Sequence, residues 1–370
     1  MRTHLPGASA ACVEGLLSCV TPAVLLRFTH GLAAFLDDLD RIEPAPPPGA
    51  YDALRSVLDT SRALTDGSVT AAGEKASDAD HDYSDWHRLT RSLWFNWADD
   101  EAEVSGAALP PRAWCATQVF ARSGPHDPIK VAEVGAGVGR LAHDVMSMRP
   151  RGRFWVGDAS LESLVLGALL HGGAALMLPR RVSFARSASG IDWFECRAPG
   201  SAGPVPVPGT EKGPETVPGT EKGPETGPGP GPGPGPESGP GPGPGPGPEL
   251  GPGPGPVVVY RQDSLPPGRD YDFVIACNSV SLFPAPLVTV ERLAGALRPG
   301  GHLVLTDLYS WRVETPLPRR VAGPGHVADV LRRTGCSILA RQGGIPYSEH
   351  WGHERTYCWT SHGLVARRDR

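Results

Sequence analysis

The chain has no run of about 20 uncharged apolar residues, so nothing in it reads as a membrane-spanning helix. It has no CxxC pair. Its seven cysteines (Cys12, Cys19, Cys115, Cys196, Cys277, Cys336 and Cys358) are odd in number and scattered. That argues against a zinc ribbon or a small disulfide scaffold and favours a reducing compartment. Charge of one sign is also scarce: 35 basic against 40 acidic side chains in 370 residues leave a net −5. Residues 201–256 carry six Glu and two Lys, so the other 314 residues are almost neutral, at −1. Without a basic face there is no electrostatic case for nucleic acid or for an anionic membrane surface.

Glycine and proline are abundant, at 47 and 41 residues, but the excess is local. Residues 201–256 hold 18 Gly and 19 Pro, and removing them leaves ordinary globular usage. Gly-Pro repeats there with period two, which excludes collagen, whose triple helix needs Gly at every third position. Upstream in the same block, VPGTEKGPET occurs twice in tandem, at 207–216 and 217–226. Such a segment has little apolar surface to bury and is expected to be a disordered, solvated insertion. It falls between two strands of one sheet, so it interrupts a domain instead of bounding one. A PxxP-reading partner would want aromatic or basic flanks, which are missing.

Residues 10–65 carry apolar side chains at helical spacing (Leu25, Phe28, Leu32, Phe35, Leu36) until the PAPPP run at 44–48. The apolar start, Met1 to Leu26, reads as an amphipathic helix, with a weak targeting segment as the alternative. A polar loop is expected over 66–82. A second aromatic, helical stretch follows over 83–122, with Trp86, Leu89, Leu93, Trp94, Trp97 and Trp114. Residues 1–122 therefore read as a helical cap. From Lys130 onward, strands (130–134, 153–157, 257–263, 272–278, 302–307) alternate with helices (140–148, 160–171, 285–297, 325–334). Two last strands are expected near 336–342 and 356–366. That alternation indicates a doubly wound parallel sheet over 123–370. Residues 172–200 must add ordered structure of a kind the pattern does not identify.

The strongest chemical signal is 133-EVGAGVG-139. Gly135, Ala136, Gly137 and Gly139 lie between a strand and a helix, where the three glycines, lacking Cβ atoms, let the backbone turn sharply against a flat ligand. The dinucleotide spacing GxGxxG is broken by Arg140. Glu133 is placed to reach a cationic group over the loop. Asp158, ending the second strand, is placed to take both hydroxyls of a ribose. A third acid, Asp263, ends the strand after the Gly-Pro block.

These residues resemble the class I S-adenosylmethionine-dependent methyltransferases, with a Rossmann-like sheet. The resemblance implies S-adenosyl-L-methionine as cofactor. Gly135, Gly137 and Gly139 would lie under its methionine part, Asp158 on its ribose and Asp263 by its adenine amine. The segments 271-YDFVIACNSVSLF-283 and 298-RPGGHLVLTD-307 look like that family's fourth and fifth strands. A narrower likeness is to the methyltransferase domain of ovothiol-biosynthesis enzymes, which N-methylates a thiol-substituted histidine. It rests on 303-LVLTDLYSWRVETP-316 and on 345-IPYSEHWGHERTYCWTSHGLVARR-368, although the sulfur-inserting domain of those enzymes is missing. The GAGVGR loop is nearer to carnosine-type histidine N-methyltransferases. Both likenesses imply a small acceptor, an imidazole or amine; the scattered cysteines are what favour a cytoplasmic location. Candidate catalytic residues are Asn278 as an orienting group, Tyr309 and Trp311 as pocket walls, and Asp307 as a base or a helix cap. His350, His353, Glu349 and Glu354 are poorly spaced for a metal, and none is expected. Two alternatives stay open, a non-catalytic interaction protein that keeps the fold and a protein methyltransferase.

Overall fold

The computed structural model describes residues 7–42, 45–69, 89, 93, 97, 110–124, 127–149, 151–181, 191–196, 257–261, 265–309, 323–350 and 356–369. The Gly-Pro block, Trp86, Trp94, Asp263, Trp311 and His353 lie outside them.

The N-terminal part is helical, as its spacing predicts. Helix α1 spans Gly7–Leu17, α2 spans Pro22–Leu39 and α3 spans Asp52–Val69. Thr21 caps α2 by accepting the Val24 amide, and Pro22 fills the first turn, where a missing N–H costs nothing. That cap splits the apolar run 10–39 into two helices. Helix α3 carries on to Val69, through the start of the stretch expected to be a loop. Leu25, Phe28, Leu32, Phe35, Leu36 and Leu39 are all buried along one stripe of α2. Among the described residues no helix is long and apolar enough to cross a membrane.

Helix α4, Pro111–Phe120, leads into the sheet region. There follow β1 (Lys130–Val134), α5 (Arg140–Met148), β2 (Arg153–Gly157) and α6 (Leu161–His171). Next come β3 (Leu176–Arg181), β4 (Ile191–Cys196), β5 (Val257–Arg261) and β6 (Tyr271–Cys277). The chain ends with α7 (Pro286–Ala296), β7 (Leu297–Asp307), α8 (Pro324–Arg333), β8 (Cys336–His350) and β9 (Thr356–Arg368). Seven strands form one sheet in the order β5-β2-β1-β6-β7-β9-β8. The first five are parallel, and β9 runs antiparallel to both its neighbours. This is the Rossmann-like, doubly wound sheet expected from the sequence.

Period-two alternation sorts the strand side chains onto two faces. Val131, Phe154, Phe273, Ile275 and Val304 pack with Trp114, Leu141, Val145 and Leu164 of α4, α5 and α6. Ala132, Val134, Val274, Leu303 and Leu305 pack with Val290, Leu293, Val327 and Leu331 of α7 and α8. Both faces are covered, so the parallel strands are apolar nearly throughout. Glu133 is a buried acid among them, on the α5 face of β1 and two residues before Gly135.

Residues 172–200, unassigned from the sequence, contain β3 and β4, an antiparallel pair that forms a sheet of its own. The Met177 amide donates to the Ala50 carbonyl at 2.9 Å, tying this hairpin to the start of α3.

Candidate functional site

Strand order reverses between β1 and β6. β2 lies on one side of β1 and β6 on the other. Open α/β sheets bind ligands in the crevice outside the carboxyl ends of the strands at such a switch point. The Gly loop opens directly onto it. Gly135, Gly137 and Gly139 have φ of 65°, 55° and 72°, a left-handed conformation that side chains disfavour. The Gly135 and Ala136 amides both donate to the Gly157 carbonyl, at 2.9 and 3.1 Å, which turns the chain back over β2.

Each glycine is required for a different reason. A Cβ on Gly135 would lie 2.4 Å from the Ser279 Cβ. A Cβ on Gly139 would press on the His171 ring at 3.1 Å. A Cβ on Gly137 would meet nothing within 4 Å. So Gly135 and Gly139 admit protein neighbours, and Gly137 borders open space.

Asp158 closes the other side of the loop. Its Oδ2 accepts the Gly137 amide at 2.8 Å, and its Oδ1 accepts the Ser160 amide at 2.8 Å. Ser160 in turn N-caps α6 by accepting the Ser163 amide. One carboxylate thus ties the Gly loop to the start of the next helix.

Glu133 is 4% exposed, and its Oε2 has no hydrogen-bond partner. Burial pushes its carboxyl well above the usual range, and the neighbouring Cys277, Asp144 and Asp158 act in the same direction. The Ala142 amide, in the first turn of α5, opposes them. A buried acid with one free oxygen fits a cationic ligand group, whose charge would supply the missing partner. The raised value has a consequence for stability. The folded chain holds this proton over a pH range where the unfolded chain has lost it, so stability falls as pH rises from about 4.3 through the folded value. The Glu133→Gln variant should lose that slope and so gain stability relative to wild type as pH rises from about 5 to about 8. Melting temperatures of both proteins at the two pH values check this, and parallel slopes would sink it.

Across the crevice stand β6 and β7. Among the described residues only two non-glycines have positive φ, Asn278 at 51° and Tyr309 at 54°. They follow β6 and β7 directly. Strained backbone of this kind collects at functional sites, and both positions were candidates on sequence grounds. The Asn278 amide donates to the Thr306 carbonyl at 2.8 Å. Asp307 is fully buried, and its two oxygens accept the Ser281 amide (2.9 Å) and the Tyr309 amide (2.6 Å). It therefore joins the loops after β6 and β7. Burial raises its pKa, and those two amides oppose the rise. The Tyr309 phenol is also pushed up, by burial first and then by Asp307. Its ring centroid lies 6.0 Å from that of His362 on β9.

The structure adds residues that sequence reasoning passed over. Ser279 fills the place left by Gly135 and donates to the Val134 carbonyl at 2.8 Å. Gly167 of α6 lets that helix approach the Val138 carbonyl of the loop. His171 is half-buried, with Nε2 2.8 Å from the Gly139 carbonyl, which makes Nε2 the donor. Desolvation lowers its pKa to about 4, so the ring is neutral. Trp97 packs on both His143 and His171, at 5.3 and 5.8 Å between centroids, with the Arg140 guanidinium over its ring. Arg112 and Arg140 both pair with Asp144, at 3.1 and 2.9 Å. Helix α4 and Trp97 are thereby held to α5, beside the Gly loop. Among the described residues no group of three or more His, Cys, Asp or Glu could hold a metal.

No protein-family model matches the chain, and no curated protein matches it in sequence. Several solved structures are similar to it at low identity. A SAM-dependent methyltransferase from Aquifex aeolicus is 12% identical and covers 77% of this chain and 97% of its own, with a TM-score of 0.35. The 1,6-didemethyltoxoflavin-N1-methyltransferase of Burkholderia thailandensis, solved with 1,6-didemethyltoxoflavin and S-adenosylhomocysteine, is 11% identical over 80% and 93%, at 0.37. The [4+2]-cyclase SpnF is 13% identical over 76% and 92%, at 0.39. None of these proteins bears on the ovothiol or carnosine likeness. At such scores the chain's own strand order carries the conclusion: the fold is Rossmann-like, of the class I methyltransferase type.

Proposed function

We propose that the chain is an S-adenosylmethionine-dependent methyltransferase acting on a small nitrogen nucleophile, an imidazole of a histidine or thiohistidine derivative. The carrying observation is the crevice at the β1–β6 switch point. There a positive-φ Gly loop, the carboxylate that grips it and a buried acid with a free oxygen meet. These residues fit the cofactor. Glu133 offers its unpartnered oxygen to the α-ammonium, Gly137 leaves room for the methionine part, and Asp158 receives the ribose hydroxyls. Bound there, the cofactor supplies a methyl group on a sulfonium sulfur, open to in-line displacement by a lone pair.

The chain's own residues do the rest. Asp307 fixes the Ser281 and Tyr309 amides and so sets the two loops between which the acceptor enters. Tyr309 and His362 wall that side, and Asn278 orients the acceptor from the end of β6. The cap, pinned through Trp97 and the Arg112–Asp144–Arg140 cluster, excludes water, and alignment inside a dry site is what this reaction chiefly needs. Fully buried, and with both oxygens holding backbone amides, Asp307 acts as an organiser of the site.

The test is incubation of the full chain with labelled S-adenosylmethionine and a panel of histidine, thiohistidine, carnosine and other amines, read by mass spectrometry. Methylated small molecules are expected. Label appearing only in protein from a lysate would overturn the small-molecule reading.

A further inference from the structure

Ser361, on β9, is an unassigned residue that decides what Asn278 can offer. Its side chain is fully buried. Its Oγ lies 2.5 Å from the Asn278 Oδ1, across 83 residues of sequence. The hydroxyl donates and the amide oxygen accepts. Asn278 is held by its backbone as well, through its amide to the Thr306 carbonyl and its left-handed φ of 51°. An asparagine amide has one oxygen acceptor and one NH2 group with two donors. With the oxygen turned to Ser361, the NH2 group is what remains for a ligand. It stands beside Ser279, which touches Gly135 of the loop.

We infer that Asn278 grips an oxygen of the methyl acceptor and not its attacking nitrogen, so the acceptor carries a carboxylate or carbonyl group. This rests on the methyltransferase reading and narrows its substrate class. An N–H aimed at the nucleophile would occupy the lone pair that must form the new bond. A neutral imidazole has one lone-pair nitrogen and one N–H, so it has no second acceptor to give. A carboxylate on the same molecule does. Ser361 is a positioning residue, because it sets the polarity of the amide without touching the acceptor.

Two measurements test this on the full-length protein. Neutron diffraction from deuterated crystals locates the shared deuteron. It is expected on Ser361 Oγ; a deuteron on Asn278 Nδ2 pointing at Oγ overturns the inference. The second is turnover with matched acceptors, histidine and carnosine against histamine, which lacks the carboxylate. The carboxylates are expected to have KM values about tenfold or more lower. Ser361→Ala should raise their KM about tenfold with kcat within about twofold. Asn278→Asp keeps the bond from Ser361 and the tolerance for positive φ. It removes both donors and sets like charges together, so a rise of about 100-fold is expected for histidine and a rise at least about tenfold smaller for histamine. Histamine used as well as histidine, no transfer to any carboxylate by cofactor-loaded protein, or Asn278→Asp at wild-type KM, would each overturn it. Failure of the wild type to bind S-adenosylmethionine, read by titration calorimetry, would instead strike the methyltransferase reading.

Discussion

Asp158→Ala should weaken S-adenosylmethionine binding about 100-fold, equivalent to about 2.7 kcal/mol. The carboxylate holds the Gly137 amide and the Ser160 amide, each at 2.8 Å. Hydrogen bonds to a charged group are worth about 1.5–3 kcal/mol each. The expected loss therefore amounts to one or two such bonds to the ribose, with the Gly loop less well held as well. Asp158 is half-buried, so the variant should stay folded, with a stability cost of about 1 kcal/mol. Asp158→Asn keeps one acceptor oxygen and should fall between, near tenfold. Titration calorimetry reads all three proteins. A heat for Asp158→Ala equal to wild type would sink the ribose assignment, whereas loss of binding together with a collapsed melting temperature would show a purely structural role.

The parts of the site legible in the sequence were those that depend on local conformation. Three glycines within five residues, between a strand and a helix, need a backbone that only glycine adopts freely, and all three have it. Asp158 and Asp307 were visible because strand ends can be read from apolar runs. What stayed hidden depends on register between distant strands. Ser361 reaches Asn278 only because β9 lies antiparallel to β7, with His362 opposite Asp307 and Gly363 opposite Thr306. No spacing in the chain announces that pairing. Ser279 was hidden for a related reason, since its role appears only when β6 lies beside β1. The hairpin of β3 and β4 was missed because Pro179 interrupts its first strand, and a proline inside an apolar run demotes it as a strand signal. Asp307 shows the limit of position alone. From the sequence it was equally a base or a helix cap, and the structure adds the Ser281 and Tyr309 amides that reach its oxygens.

Gly135→Ala should be the most destabilising single methyl in the site, at about 2–5 kcal/mol. Two costs combine. Alanine at φ 65° costs about 1–2 kcal/mol for the left-handed backbone. Its Cβ would stand 2.4 Å from the Ser279 Cβ and 2.8 Å from its Oγ, and overpacking of this kind costs about 1–3 kcal/mol. Ser279 cannot simply turn away. It is buried, its hydroxyl donates to the Val134 carbonyl, and it adjoins Asn278. The displacement would therefore travel into the end of β6, and acceptor turnover should fall with stability. Gly137→Ala isolates the other effect. Its φ of 55° carries the backbone cost, but a Cβ there meets nothing within 4 Å of protein. It should cost about 1–2 kcal/mol of stability and impair cofactor binding more than Gly135→Ala does per unit of stability lost. Combining Gly135→Ala with Ser279→Gly tests the collision itself, because the double variant removes the atoms in conflict. Denaturant unfolding of the four proteins in that cycle should give a favourable coupling of about 1–3 kcal/mol. Strict additivity would mean that the backbone conformation, and not contact with Ser279, is what demands glycine at 135.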